Sequence, residues 1–212
     1  MQLYGYYQSS AAYRVRIALN IKNLPVEHRP VALLDSAALG EFRRTNPQGF
    51  VPALATADGL LTQSIAILDY LEEHFPQTPL LPSAADQKAY VRSVALLIAC
   101  DIHPLNNLRV LQYLRHRESL SKERVSAWCR QWIEDGFTRL ESFLVNSGFA
   151  GDYVCGQTVS IADCCLVPQV FNARRLGCDL SAYPTITRVD ARCTALPAFA
   201  AAHPARQADA PG

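Results

Sequence analysis

Over its first third the chain sets short apolar runs between turn residues; thereafter the apolar positions recur with the longer period of helices. Gln2 to Tyr7 is an aromatic-rich strand, and beyond Ser9 and Ser10 the residues Val15, Ile17, Ala18, Leu19 and Ile21 have helical spacing. This predicts strand, serine-bearing turn and helix. A second strand is predicted over Val26–Leu33. A third over Val51–Ala55 follows the turn Asn46-Pro47-Gln48-Gly49, and Asp58-Gly59 then turns the chain into Leu60-Leu61-Thr62. Ser64 is placed to cap a helix marked by Ile65, Leu68 and Leu71 that ends before Pro76, so the order is β-α-β-α-β-β-α.

Pro76 to Asp86 carries three prolines and little periodicity, and reads as a linker between domains at 1–77 and 86–212. Strand signals then vanish. Tyr90, Val94, Leu97 and Ile98 open one long helix, and Val125, Trp128, Trp132, Phe137, Leu140 and Leu144 mark another. Ser160-Ile161-Ala162-Asp163 has the form of a capping box, with Val159 and Cys164 as its staple pair. A last helix starts at Tyr183-Pro184, and the tail after Pro204 reads as frayed.

Composition narrows the classes. Half of the 212 residues are apolar, enough for a sizeable core, and 20 Lys+Arg against 19 Asp+Glu leave a formal charge of +1. That balance lacks the basic excess of a nucleic-acid binder and suits a small neutral or anionic ligand. No signal-peptide pattern stands at Met1-Gln2-Leu3, and no apolar run approaches the ~20 residues that span a bilayer, so no membrane partner and a cytoplasmic location are expected. The seven cysteines never form C-x-x-C and are expected to be reduced core thiols.

Three places carry possible chemistry. Pro52, just inside a strand, cannot donate to a ladder; a cis Val51–Pro52 bond would turn the Val51 peptide outward to pair with a peptide-like ligand, although a trans turn proline fits as well. Gln63-Ser64, where a helix begins, suits a carboxylate received by free N–H groups, with a plain helix cap as the alternative. Ser9-Ser10 admits the same two readings. All three fall at strand-to-helix edges of one small sheet, where ligands of α/β folds gather.

Taken together, the stretches Ser9-Ser10-Ala11-Ala12-Tyr13-Arg14-Val15-Arg16, Asn46-Pro47-Gln48-Gly49-Phe50-Val51-Pro52, Gln63-Ser64-Ile65-Ala66, Cys100-Asp101-Ile102-His103-Pro104-Leu105-Asn106-Asn107-Leu108-Arg109 and Ala162-Asp163-Cys164-Cys165 resemble the zeta class of glutathione transferases, home to maleylacetoacetate and maleylpyruvate isomerases. The resemblance covers nearly the whole chain. It implies an α/β thioredoxin-like N-terminal domain plus an all-α C-terminal domain, a homodimer, and glutathione as a cofactor that returns unchanged from the cis-trans isomerisation of a small dicarboxylate.

The resemblance also distributes roles. Ser9 and Ser10 go to the glutathione thiol, Val51 to the cysteinyl backbone, and Gln63 with Ser64 to the γ-glutamyl end. Gln48, His103, Asn107 and Arg109 go to the tripeptide; Gln8, Arg109 and Arg175 go to the substrate. Gln8 stands where the family usually carries arginine, leaving one carboxylate anchor neutral, and Ala11 stands in place of a frequent cysteine. Rival activities are maleylpyruvate isomerisation and conjugation of small α-halo acids. A catalytically silent binding protein is a third alternative, against which the retained serines argue.

Overall fold

The computed structural model describes residues 1–211, which fall into two compact units. The first comprises Met1–Leu80 together with the chain from Ala195 onward; the second is Leu81–Thr194. The expected division at 77/86 therefore shifts little at the linker, but the expected second domain, 86–212, loses its final stretch to the first unit. Its anchor is a short helix, α9 (Pro197–Ala202), whose Phe199 and Ala202 are buried. Asn20 and Arg16 of α1 (Ser10–Ile21) donate to the carbonyls of Ala198 and Ala202. The Ala-rich tail offers no periodicity from which such docking is readable.

In the first unit four strands, β1 (Gln2–Gly5), β2 (Glu27–Pro30), β3 (Ala53–Thr56) and β4 (Gly59–Thr62), lie in the order β2-β1-β3-β4. β1 pairs parallel with β2 and antiparallel with β3, and β3 antiparallel with β4. With α1, α2 (Ser36–Thr45) and α3 (Ser64–His74) this is the expected thioredoxin-like order. Strands β1 and β2 are shorter than expected, and β2, Glu27–Pro30, is exposed throughout. The period of two divides the sheet faces. Leu3 and Leu54, cross-strand partners, are buried on one, while Tyr4 and Ala53 on the other join Val31, Phe42 and Val51 in a cluster. Lys22, at the end of α1, spends its three donors on Glu72 (2.9 Å) and the carbonyls of Phe75 (2.9 Å) and Thr78 (2.8 Å), which ties α1 to the end of α3.

The second unit is all helix: α4 (Ala85–Leu96), α5 (Leu108–His116), α6 (Lys122–Asn146), α7 (Ile161–Arg175) and α8 (Pro184–Thr194). α7 is its centre, with twelve of fifteen residues buried, as an all-round apolar helix requires. The predicted capping box is present, and Asp163 accepts from the N–H groups of Val154 (2.9 Å) and Ser160 (2.8 Å) and the Ser160 hydroxyl (2.7 Å). The long helix expected from Tyr90, Val94, Leu97 and Ile98 does not run on evenly. α4 passes into a π-helical stretch, Leu97–Ile102, and a 3-10 turn, His103–Asn106. Opposite them, a Cβ added at Gly136 of α6 would lie 2.5 Å from Ile102 Cγ1, so glycine there permits the close approach that seats the residue before His103.

Two expectations from composition are corrected. The stretch Ala85–His116, 32 residues helical but for the extended Asn107 that caps α5, is by length and composition alone long and apolar enough to cross a membrane. Its Tyr90, Val91, Val94, Ala95, Ile98 and Ile102 are buried within the unit. Of the seven free cysteines five are buried; Cys178 is half-buried and Cys100 is exposed.

Candidate active site

Helix starts locate the site, because each leaves N–H groups that need acceptors. In most helices the protein supplies them. Ser9 caps α1, with its Oγ accepting the Ala12 N–H at 3.2 Å. Asp35 caps α2, and the buried Glu141 carboxylate takes the N–H groups of Thr185 (2.8 Å) and Ile186 (3.0 Å) at the start of α8. α3 is different. Its first position is preceded by Gln63, which gives no side-chain cap and stands at φ 69°, ψ 116°. The expected Ser64 cap is corrected accordingly: Ser64 is the first helical residue, buried, and its Oγ instead receives Arg14 Nη1 at 3.0 Å.

A side chain at positive φ costs of the order of 1–3 kcal/mol and persists where surroundings hold it. Here Gln63 Nε2 reaches Gln48 Oε1 at 3.3 Å, and Gln48 Nε2 reaches Thr62 Oγ1 at 3.4 Å. The structure thus brings Gln48, Gln63 and Ser64 together beside an uncapped helix start. This combination suits an anionic group flanked by amides. Gln63→Gly is expected to raise the unfolding free energy by about 1 kcal/mol, read from a thermal melt.

Val51–Pro52 is cis, and among the described residues the Val51 peptide makes no backbone pairing; its side chain is buried in the sheet cluster. A peptide with both groups unspent is a fitting partner for an extended peptide. On the β1–α1 loop Gln8 is exposed, Ser9 half-buried and Ser10 buried. Since the Ser9 oxygen is occupied as an acceptor, its own O–H remains a donor at the start of α1.

The expected residues of the second unit fall on its π/3-10 segment and the end of α7. His103 opens the 3-10 turn. Asn107 is the cap of α5, with its side chain accepting the Arg109 N–H at 3.3 Å, and the Arg109 side chain is exposed. The two arginines of α7 divide their work. Arg174 Nη1 pairs with Asp190 at 2.6 Å; burial pushes that carboxyl up while Arg174 pulls it down. Arg175 Nη2 donates to Asn172 Oδ1 (2.8 Å), Asn172 Nδ2 to Asn106 Oδ1 (2.9 Å), and Asn106 Nδ2 to the Ile102 carbonyl (3.0 Å). This amide relay connects Arg175 to the segment bearing His103.

Sequence reading missed Arg14, Asn106 and Asn172. A signal existed for Arg14: two arginines, Arg14 and Arg16, sit inside an apolar helical run, where an exposed face would need different spacing. The asparagines gave none.

Residues 3–79 match the family model of the glutathione S-transferase N-terminal domain. A probable maleylacetoacetate isomerase of Vibrio cholerae is 48% identical over 98% of this chain and 97% of its own length. The holo structure of a maleyl pyruvate isomerase, a bacterial glutathione S-transferase of the zeta class, superposes with a TM-score of 0.94 at 44% identity over the whole of both chains. The maleylacetoacetate isomerase of Methylobacterium extorquens AM1, with bound malonate and glutathione, does so with 0.94 at 41%, also over both chains in full. The free Val51 peptide, the uncapped start of α3 and the serine at the start of α1 thus occur in a chain that belongs to the zeta-class glutathione transferases, the family of the maleylacetoacetate and maleylpyruvate isomerases.

Proposed function

We propose that the protein is a glutathione-dependent cis-trans isomerase that converts maleylacetoacetate to fumarylacetoacetate. The observation that carries this reading is the Val51 peptide, with no backbone pairing and beside an uncapped helix start, in a chain whose full-length neighbours include a maleylacetoacetate isomerase holding glutathione and malonate. When bound, glutathione supplies a thiolate, a nucleophile that adds reversibly to a conjugated cis double bond and so permits rotation.

The chain's own residues do the rest. The Val51 N–H and C=O hold the cysteinyl backbone of the tripeptide. The N–H groups at the start of α3, with Ser64 oriented by Arg14, receive its γ-glutamyl carboxylate, and Gln63 and Gln48 flank the adjoining amine. Ser9 donates its hydroxyl to the sulfur, and the positive end of α1 adds to the preference for the ionised form. Ser10, buried, has a structural place. Arg175, held by Asn172, is the anchor for a substrate carboxylate, for which a planar bidentate donor is suited. The family resemblance assigns His103, Asn107 and Arg109 to glutathione or substrate as further donors.

The neutral, exposed Gln8 favours a second reading, substitution on small α-halo acids, because it removes one cation from the loop. Purified protein supplied separately with maleylacetoacetate, maleylpyruvate and a halo acid, with and without glutathione, distinguishes them. Glutathione-dependent loss of the cis-enone absorbance with maleylacetoacetate is expected. Halide release from the halo acid with neither isomerisation would overturn the assignment.

A further inference from the structure

The loop that carries Ser9 is gripped through its backbone by two side chains, one of them remote in sequence. The Tyr6 carbonyl accepts the Ser9 N–H at 2.9 Å and, more weakly, Arg16 Nη1 at 3.5 Å. The next carbonyl, of Tyr7, accepts Arg16 Nη2 at 3.1 Å. At the other end of the Tyr6–Tyr7 peptide, the Tyr7 N–H donates to Asp209 Oδ2 at 2.9 Å, across 202 residues of chain. One peptide thus has a donor on its oxygen and an acceptor on its hydrogen, which fixes its plane and with it the carbonyl that accepts Ser9.

Both grips are built features. Arg16 is 4% exposed; its Nε binds the Ala202 carbonyl at 3.1 Å and its guanidinium lies 5.3 Å from the centre of the Tyr13 ring. Burial lowers its pKa to about 10, against the pull of Tyr13 and Asp209, so it stays charged at neutral pH. The tail bearing Asp209 is turned back on itself by Gln207, whose Nε2 reaches the carbonyls of Ala201 (3.1 Å) and His203 (3.0 Å). Next to this contact lies a cavity of about 660 Å³ lined by Tyr6, Tyr7, Leu34, Asp35 and Asp209, so little side-chain packing backs the loop on that flank. His28 also interacts with Asp209, which raises the His28 pKa, but burial and Arg16 outweigh this and lower it.

We propose that Asp209, acting with Arg16, is a positioning residue for Ser9: the C-terminal tail fixes the Tyr6–Tyr7 peptide and, through it, the hydroxyl that holds the glutathione sulfur ionised. This rests on the role given to Ser9 above. It assigns the tail a part in the chemistry that none of its own side chains performs by touching the substrate.

The test compares the full-length protein with Asp209→Ala, with Asp209→Asn, which keeps an acceptor oxygen, and with a chain ended after Gln207. Three quantities are read: the pH at which the thiolate absorbance of bound glutathione appears, kcat against KM, and hydrogen exchange of the Tyr7 amide without ligand. In Asp209→Ala and the shortened chain the bound thiol is expected to ionise at a pH higher by about 1, with kcat about tenfold lower at neutral pH and KM for glutathione within about twofold. The Tyr7 amide is expected to exchange about tenfold faster, and Asp209→Asn to recover most of each change. If Asp209→Ala ionises its bound thiol at the wild-type pH, or Asp209→Asn is as impaired as Asp209→Ala, the inference is wrong. If the wild-type protein leaves bound glutathione un-ionised, the role of Ser9 fails instead. The inference, which rests on that role, then falls with it, and Tyr7 exchange reports separately whether the tail contact exists.

Discussion

Ser9→Ala is expected to lower kcat about 100-fold and to return the thiol of bound glutathione towards its ordinary pKa near ~8.5, because the hydroxyl donor to the sulfur is gone. Ser10→Ala is expected to stay within about threefold of wild type, since that side chain is buried at the first position of α1. Ser9 has a second duty as the cap of α1, whose loss to alanine costs about 1 kcal/mol of stability. Ser9→Gly separates the two roles. Glycine is nearly as good a cap, so this variant should melt close to wild type yet be as inactive as Ser9→Ala. Ser9→Thr, with both cap and hydroxyl, should retain activity. Kinetics and melting curves on the four variants decide the matter, and a Ser9→Gly enzyme with wild-type kcat would remove the hydroxyl from the account.

Arg14→Met is the second large effect. The Arg14 side chain is 2% exposed and gives Nη1 to Ser64 Oγ at 3.0 Å, fixing the hydroxyl at the uncapped start of α3. Methionine fills much of the same space without the donor. Glutathione affinity is expected to fall about 30-fold, equivalent to about 2 kcal/mol, with a smaller change in kcat. Arg14→Ala adds a cavity and should also lower stability by about 3 kcal/mol. Calorimetric titration with glutathione and thermal unfolding separate the two variants; unchanged affinity in Arg14→Met would show that Ser64 does not depend on Arg14.

What was legible in the sequence was local. The β-α-β-α-β-β-α order followed from apolar runs bounded by Asn46-Pro47, Asp58-Gly59 and Pro76, and the capping box Ser160–Asp163 closes within one turn of helix. The cis Val51–Pro52 bond was one of two open readings, preferred because proline does not belong inside a ladder. Contacts between distant positions were not legible. Arg14 meets Ser64 across 50 residues, Asn172 meets Asn106 across 66, and Tyr7 meets Asp209 across 202, and none leaves a periodic trace. The π-helical stretch Leu97–Ile102 escaped for a related reason: the apolar period continues through it, and only Gly136 in a helix 34 positions further on marks where the chain must come close.

A hydroxyl at the start of α1 that favours the sulfur anion must make glutathione lose a proton as it binds. Calorimetric titration in buffers of different ionisation heats counts that proton. A bound thiol whose pKa lies about 2 below the free value predicts release of about 0.7 proton per tripeptide at pH 7, and close to none when S-methylglutathione is the ligand. Binding of glutathione with no proton released at that pH, or with the same release from the methylated tripeptide, would contradict it.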